Sequence, residues 1–443
     1  MNRFIQTLRN IWGITELREK LLLTAGMLLV YRLGSNVVLP GIDPSSLENL
    51  QSQASEGLVG LINAFSGGAF ANASILALGI MPYISASIVI QLAGLAVPAV
   101  QKMQKEGESG RRKLNQITRY LTILIVAAQA PGYITNLIYQ GVNITLPMST
   151  FWLASWIVII AGTIFAMWLG ERITEKGVGN GISLLIMIGI IANFPQAFFQ
   201  EVATQLSPTG GGWIKFLIEL VALYLVFLFA IAITQAVRKV PLEYAKRVAG
   251  GSSKSLGRSY LPVRVNASGV MPIIFAQALM FVPLTVVQYT GIEGSGATWL
   301  VNVFGDIQGF WYNFVFALLI LVFTYFYTAI QINTTQIADD LKRNGGFVPG
   351  IKPGEATGNY IDDVLAKITL PGAVLLALIA ILPAVAMTLG INMQWAQFYG
   401  GTSLLIIVGV VLDTLMQIES YLLNSHYDGL MEGGRMRGRN TSL

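Results

Sequence analysis

The sequence contains no cysteine. That excludes a disulfide framework, an iron–sulfur site and a thiol nucleophile. Histidine is almost missing too: the single one is His426, beyond the last apolar run. Most histidine proton relays, haem ligation and Ser–His catalysis are thereby removed. No stretch reads GxxxxGK[ST], so ATP hydrolysis by the usual phosphate loop is excluded. Any energy must come from a gradient or from a partner. No metal or cofactor is expected. Charge is also scarce. Asp, Glu, Lys and Arg make up 12% of the chain, where a soluble domain carries about 25%.

What the sequence has instead is a ladder of apolar runs. Hydrophobic residues make up 54% of the 443 positions. Ten runs are long enough to cross a bilayer core, which takes about 20 residues. They cover 16–35, 75–98, 116–139, 149–170, 180–199, 213–237, 267–290, 308–331, 368–389 and 402–423. The expected class is therefore an all-α polytopic membrane protein. The first run is too long for a signal-peptide core and lacks a small-residue cleavage site. It reads as a retained helix.

The 28 Lys and Arg are unevenly spread. The stretches 36–73, 140–150, 193–212, 290–307 and 388–400 contain none. The stretches that alternate with them hold nearly every positive charge. Cytoplasmic loops keep Lys and Arg, and translocated loops lose them. Ten spans and a basic start then put both termini in the cytoplasm. Arg32 and Lys215 stand outside the pattern, near outer helix ends where a long side chain snorkels to the interface. The net charge of +5 gathers on one face, suited to anionic lipid, RNA or an acidic protein surface.

The spans divide into two halves, 1–205 and 206–443, joined by the polar stretch 200–212. Five spans per half is an odd number, so the second half enters from the opposite side. That is the topology of an inverted repeat. The outer loop 36–73 ends in GLVGLINAFSGGAF (57–70), apolar but too short to span. It could lie on the interface, pack on the outer surface, or dip into a cavity. Two cytoplasmic loops are long: 238–266, with seven basic residues against Glu243, and 332–367, with the turn-forming pairs Pro349–Gly350 and Pro353–Gly354.

Two places hold polar groups at membrane depth. In LGIMPYISASIVIQLAGLAV (78–97), Ile80, Ile84, Ser87 and Gln91 share one helical face. A Gln facing lipid is costly. The face is either a packed helix seam or the lining of a wet path. Asp413 lies near the middle of the last run. It is either a structural carboxylate inside the bundle or the coupling group of a small-solute transporter.

Six segments carry a family resemblance: GIMPYISASI (79–88), KEGESGRRK (105–113), GERITEKGVGNGIS (170–183), YLPVRVNASGVMPIIFA (260–276), GGFVPGIKPG (345–354) and YGGTSLLIIVGVVLD (399–413). In this order, over nearly the whole length, they resemble the SecY family, the channel subunits of the bacterial protein translocase. The resemblance implies two five-helix halves around a central pore. It implies a constricting ring at Ile80, Ile84, Ile186, Ile274 and Ile406. A narrow apolar collar dewets and blocks ions, yet offers a passing chain no binding group.

The resemblance also implies a plug at about 58–70, here Leu61, Asn63, Phe65, Ser66 and Gly67. A lateral gate for signal sequences is implied at Ser87 and Gln91. Docking positions for the ribosome or the SecA motor are implied at Arg247, Arg258, Lys342, Arg343 and Lys352, and SecE and SecG as small subunits. Two departures stand out. Lys352 replaces the family's usual Arg and loses its bidentate fork. Thr334 replaces the usual Pro after the eighth helix, which predicts a less sharply fixed helix end. The transporter alternative needs polar ligands at the midplane, where this chain offers isoleucines. An intramembrane protease lacks a catalytic constellation.

Overall fold

The computed structural model describes residues 12–47, 63, 66–207, 211–244, 259–277, 279–280, 299 and 303–433. Helices dominate them. The chain forms two compact units, Met1–Pro195 with Val410–Leu443, and Gln196–Gly409.

The first unit contains α1 (Thr15–Gly34), α2 (Met81–Ala96), α3 (Pro98–Lys105), α4 (Glu108–Tyr139), α5 (Met148–Lys176) and α6 (Gly181–Ala192). Its core is built by Leu39, Phe70, Ala77, Val126, Ile134, Phe151 and Ile159, among others. The α5–α6 crossing is close because both sides are glycine. A Cβ on Gly181 would sit 2.0 Å from the Gly170 carbonyl oxygen. The turn between them is fixed by side chains. Asn180 caps α6 by accepting from the Ile182 and Ser183 amides. The Thr24 hydroxyl accepts from Val178 N at 3.0 Å, and Gln417 Oε1 from Gly179 N at 2.8 Å.

The second unit contains most of α7 (Phe194–Gln205), then α8 (Gly212–Gln235), α9 (Phe310–Gln331), α10 (Thr334–Arg343) and α11 (Glu355–Thr388). The last helix, α12 (Gly401–Gly433), starts in this unit and continues into the first. This division differs from one at residue 205, and hydrogen bonds explain why. The α7 side chains of Glu201 and Thr204 bind Asn392. The far end of α12 binds the first unit, with Tyr421 OH taking a bond from Lys20 Nζ at 3.1 Å.

Among the described residues, seven helices, or unbroken helix pairs, are long and apolar enough to cross a membrane. An eighth is counted if α2 and α3, bent by 101°, form one span. Of the other two expected spans, 16–35 is the helix α1, but it carries Glu16, Arg18, Glu19, Lys20 and Arg32. Of the run 267–290, residues 278 and 281–290 fall outside the described residues. At 34 residues, α11 is about 51 Å long, well beyond a hydrocarbon core of about 30 Å. It therefore protrudes.

What it protrudes into is a small sheet that the sequence reading missed. The loop 238–266 is a β-ribbon. Strand β1 (Val237–Tyr244) pairs antiparallel with β2 (Ser259–Arg264), in the register Val240↔Leu261. The loop 332–367 adds β3 (Gly346–Phe347), with Glu243↔Phe347. The order is β2-β1-β3. Val240, Leu242 and Val263 pack on Leu341, Val348, Ile361 and Leu365. Both long loops thus share one core. The α9–α10 corner is fixed without proline: Asn333 caps α10, its Oδ1 accepting from Gln336 N at 3.1 Å. That corrects the expectation of a loosely fixed helix end.

Candidate functional site

The five isoleucines that the resemblance assigns to a ring are found in both units. In the first, Ile80 is the N-cap of α2 rather than part of the helix. This corrects the single continuous face expected from 78 to 97. Gly79 takes φ +52°, a turn conformation. Pro82 then starts the helix, where its missing N–H costs nothing. The Ile80 carbonyl still accepts from Tyr83 N at 3.0 Å and Ile84 N at 3.1 Å, so Ile80 and Ile84 stay adjacent. Ile80 is buried and Ile84 half-buried. Ile186 is buried on α6. In the second unit, Ile274 is half-buried within the helical stretch 271–277, and Ile406 is buried on α12.

Ser87 and Gln91 are one turn apart on α2, with Gln91 Nε2 donating to Ser87 Oγ at 3.2 Å. Each is half-buried. In the segment 58–70, expected to form a plug, Leu61 and Phe65 lie outside the described residues. The Asn63 carbonyl accepts from Gly68 N at 2.9 Å, and its Oδ1 from Ala71 N at 3.0 Å. Ser66 Oγ donates to the Asn63 carbonyl and accepts from Phe70 N. From Gly67 to Ile80 the chain runs in turns.

Of the docking positions, Arg247 and Arg258 lie outside the described residues. Lys342 and Arg343 are exposed on the last turn of α10, where cations complement the helix dipole. Lys352 is exposed in the turn before α11. That turn is built on Gly350 (φ +82°) and Gly354 (φ +102°), which only glycine adopts readily. The Lys352 carbonyl accepts from Thr357 Oγ1 at 2.9 Å. Lys342 reaches back over Gly354, its Nζ 3.9 Å from where a Cβ would stand. The structure therefore brings Lys342 to the Lys352 turn.

Asp413 is exposed on α12, so it is not the carboxylate buried inside the bundle that one reading expected. The buried carboxylates are elsewhere. Glu201 and Glu219 are 0% and 4% exposed, and Gln205 between them is 1% exposed. Gln205 Nε2 donates to Glu201 Oε1 at 2.6 Å and to Glu219 Oε1 at 3.1 Å. Asn392 N donates to Glu201 Oε2. Lys215, read from sequence as snorkelling, donates to the Gly390 carbonyl at 3.3 Å and lies 4.0 Å from Glu219. Nearby Tyr399 gives its hydroxyl proton to the Glu219 carbonyl, and burial raises its pKa. The one sequence signal was Glu and Gln four apart on α7. Gln205→Leu is expected to destabilise the chain by about 3 kcal/mol, since it strands buried carboxyl acceptors. A fall in melting temperature of the purified protein checks this. Among the described residues, no cluster of three or more acidic or histidine side chains could hold a metal.

Long apolar helices in two compact units, with buried aliphatic positions in both, define a multi-pass membrane protein. Comparison with known proteins narrows this. The SecY family model matches residues 74–415. The chain is 40% identical over 428 residues to the protein translocase subunit SecY of Streptomyces scabiei, covering 94% of this chain and 97% of the relative. Its fold matches a solved protein conducting channel with a TM-score of 0.60, at 16% identity, over 90% of this chain and 91% of that one. It also matches Sec61 in the canine ribosome-channel complex from the endoplasmic reticulum. There the TM-score is 0.59, at 17% identity, again over 90% and 91%. This chain belongs to the SecY family. It is a protein-transport component, a channel subunit of a translocase.

Proposed function

We propose that this chain moves unfolded secretory polypeptides across the cytoplasmic (inner) membrane and releases hydrophobic segments sideways into lipid. It is a passive, non-enzymatic channel. The work comes from the SecA motor ATPase or from a translating ribosome, with SecE and SecG as small subunits. A relative of this fold was solved in a ribosome-channel complex, which supports the ribosome as a partner. Ten spans in two inverted halves, 1–205 and 206–443, leave both termini in the cytoplasm.

The observation that carries the reading is chemical. Five family-matched positions, Ile80, Ile84, Ile186, Ile274 and Ile406, are all isoleucine. An aliphatic collar seals against ions by dewetting and tolerates many translocating sequences. The segment 58–70 acts as the plug. Ser87 and Gln91 line the lateral gate. Membrane hydrogen bonds of this kind are worth only about 1 kcal/mol each. A signal sequence repays that easily, since each buried methylene is worth about 0.8 kcal/mol. Arg247, Arg258, Lys342, Arg343 and Lys352 form the docking face.

The absence of cysteine makes the test clean. A single Cys is placed at Ile84 or Ile274 and another in a stalled precursor. A disulfide at these positions, and none at lipid-facing controls, is the expected result. Translocation without any crosslink would remove the pore from these positions.

A further inference from the structure

Arg32 is the one basic residue that α1 carries at its translocated end, where such residues are otherwise missing. Its guanidinium is spoken for. Nη1 donates to the Gly67 carbonyl at 2.5 Å and to Ser35 Oγ at 3.3 Å. Ser35 Oγ returns a bond to the Arg32 carbonyl at 2.7 Å, and Asn36 Nδ2 adds another at 3.0 Å. Tyr31 beside it is buried. The arginine is therefore held on its own helix before it reaches across.

Gly67 is just as constrained. It has φ +68°, and a Cβ there would sit 2.7 Å from the Gly189 Cα of α6. Gly67 therefore has α6 backbone where a Cβ would stand, and Arg32 on its carbonyl. Beyond it the chain is fixed without Arg32. Leu39 N donates to the Ala73 carbonyl at 2.8 Å, and Ile75 N to the Val37 carbonyl at 2.9 Å. Ala73 is buried at φ +45°, a conformation L-residues avoid. Tyr133 OH donates to the Phe70 carbonyl at 2.8 Å. Arg32 thus grips the chain at the edge of this stitched stretch, on the side that leads to the plug.

We propose that Arg32 is a positioning residue for the resting seal, acting through the Gly67 carbonyl. This rests on the plug reading of segment 58–70. A cation donating to a neutral carbonyl makes a strong hydrogen bond. Among the described residues no carboxylate pairs with Arg32. Water replaces the carbonyl when the segment moves. The grip holds at rest and lets go at opening.

The test compares full-length chains, purified with their accompanying subunits, in planar bilayers. Arg32→Ala is expected to raise resting ion conductance roughly tenfold, the scale of one lost charge-assisted bond, with an unchanged melting temperature. Arg32→Lys keeps the charge and one donor and is expected to fall between Ala and wild type. Arg32→Gln replaces Ala should the alanine chain not fold. Deletion of 57–66 is the control. A leaking deletion beside a sealed Arg32→Ala, or beside a sealed Arg32→Gln, overturns the proposal alone. A deletion that stays sealed overturns the plug reading and the proposal with it. Equal leak from Lys, Gln and Ala, with lowered melting temperature, makes Arg32 a folding residue only and also overturns it.

Discussion

Replacing Ile84 and Ile274 together with glycine is expected to make the resting channel leak ions. The two positions are chosen for energetic reasons. Ile80 and Ile406 are buried at 4% and 3% exposure. Truncating either would cost about 2–5 kcal/mol in lost packing and confuse a leak with unfolding. Ile84 and Ile274 are only half-buried. Glycine there costs mainly helix propensity, about 1 kcal/mol each, so the fold survives. What the pair removes is aliphatic surface at two of the five proposed collar positions, one from each unit. A hydrophobic constriction gates by excluding water, and it loses that barrier when it widens. Single-channel recordings without precursor should show openings that wild type lacks. The single variants should leak less than the pair. Silent recordings from the double variant, in a protein that still translocates, would remove the collar from these positions.

How much of this was legible depends on which physical signal the sequence carries. Apolar runs mark membrane depth, not helix ends. The run 116–139 is read correctly, yet α4 begins at Glu108, because Glu, Arg and Lys continue a helix well outside lipid. The run 368–389 misses the first turns of α11 for the same reason. Around 75–98 the error goes the other way. The stretch is apolar throughout, but Gly79 and the prolines 82 and 98 limit helix α2 to Met81–Ala96. Proline marks those bounds in the sequence, and hydropathy is blind to it.

The small sheet β2-β1-β3 was harder to see. Its buried positions are Val240, Leu242 and Val263, a short alternation set among seven basic residues. Charge dominated the reading, and the period of two passed unnoticed. The Glu201–Gln205–Glu219 cluster needed tertiary structure, because Asn392, which satisfies Glu201, is 191 positions away. The proposed ring comes by a different route. Periodicity alone left the face of Ile80, Ile84, Ser87 and Gln91 between a helix seam and a wet lining. Only the match of long segments to a family assigns a ring there, and no spacing rule points to Ile186, Ile274 or Ile406.

Reversing Lys342 and Lys352 to glutamate is expected to block engagement of the motor or the ribosome while leaving the fold intact. Both side chains are exposed, and neither makes an ion pair among the described residues. Surface changes of this kind shift stability by only about 0.5 kcal/mol. The sheet and α10 beneath them rest on Val240, Leu242, Leu341 and Ile361, which the change does not touch. The electrostatic effect is much larger. Both lysines sit at one turn, Lys342 reaching over Gly354, so the reversal converts a local positive patch to a negative one. Steering by such a patch alters association rates by about 10- to 1,000-fold. An acidic protein surface or ribosomal RNA would be repelled by the variant. Binding to the chain in reconstituted vesicles should fall by at least the lower end of that range at low salt. The deficit should shrink as salt rises, because screening removes repulsion as well as attraction. Lys352→Arg provides the converse: it keeps the charge and adds a planar fork of donors, so binding should hold or tighten. Wild-type binding and translocation by the double glutamate variant at low salt would take the docking face away from this turn.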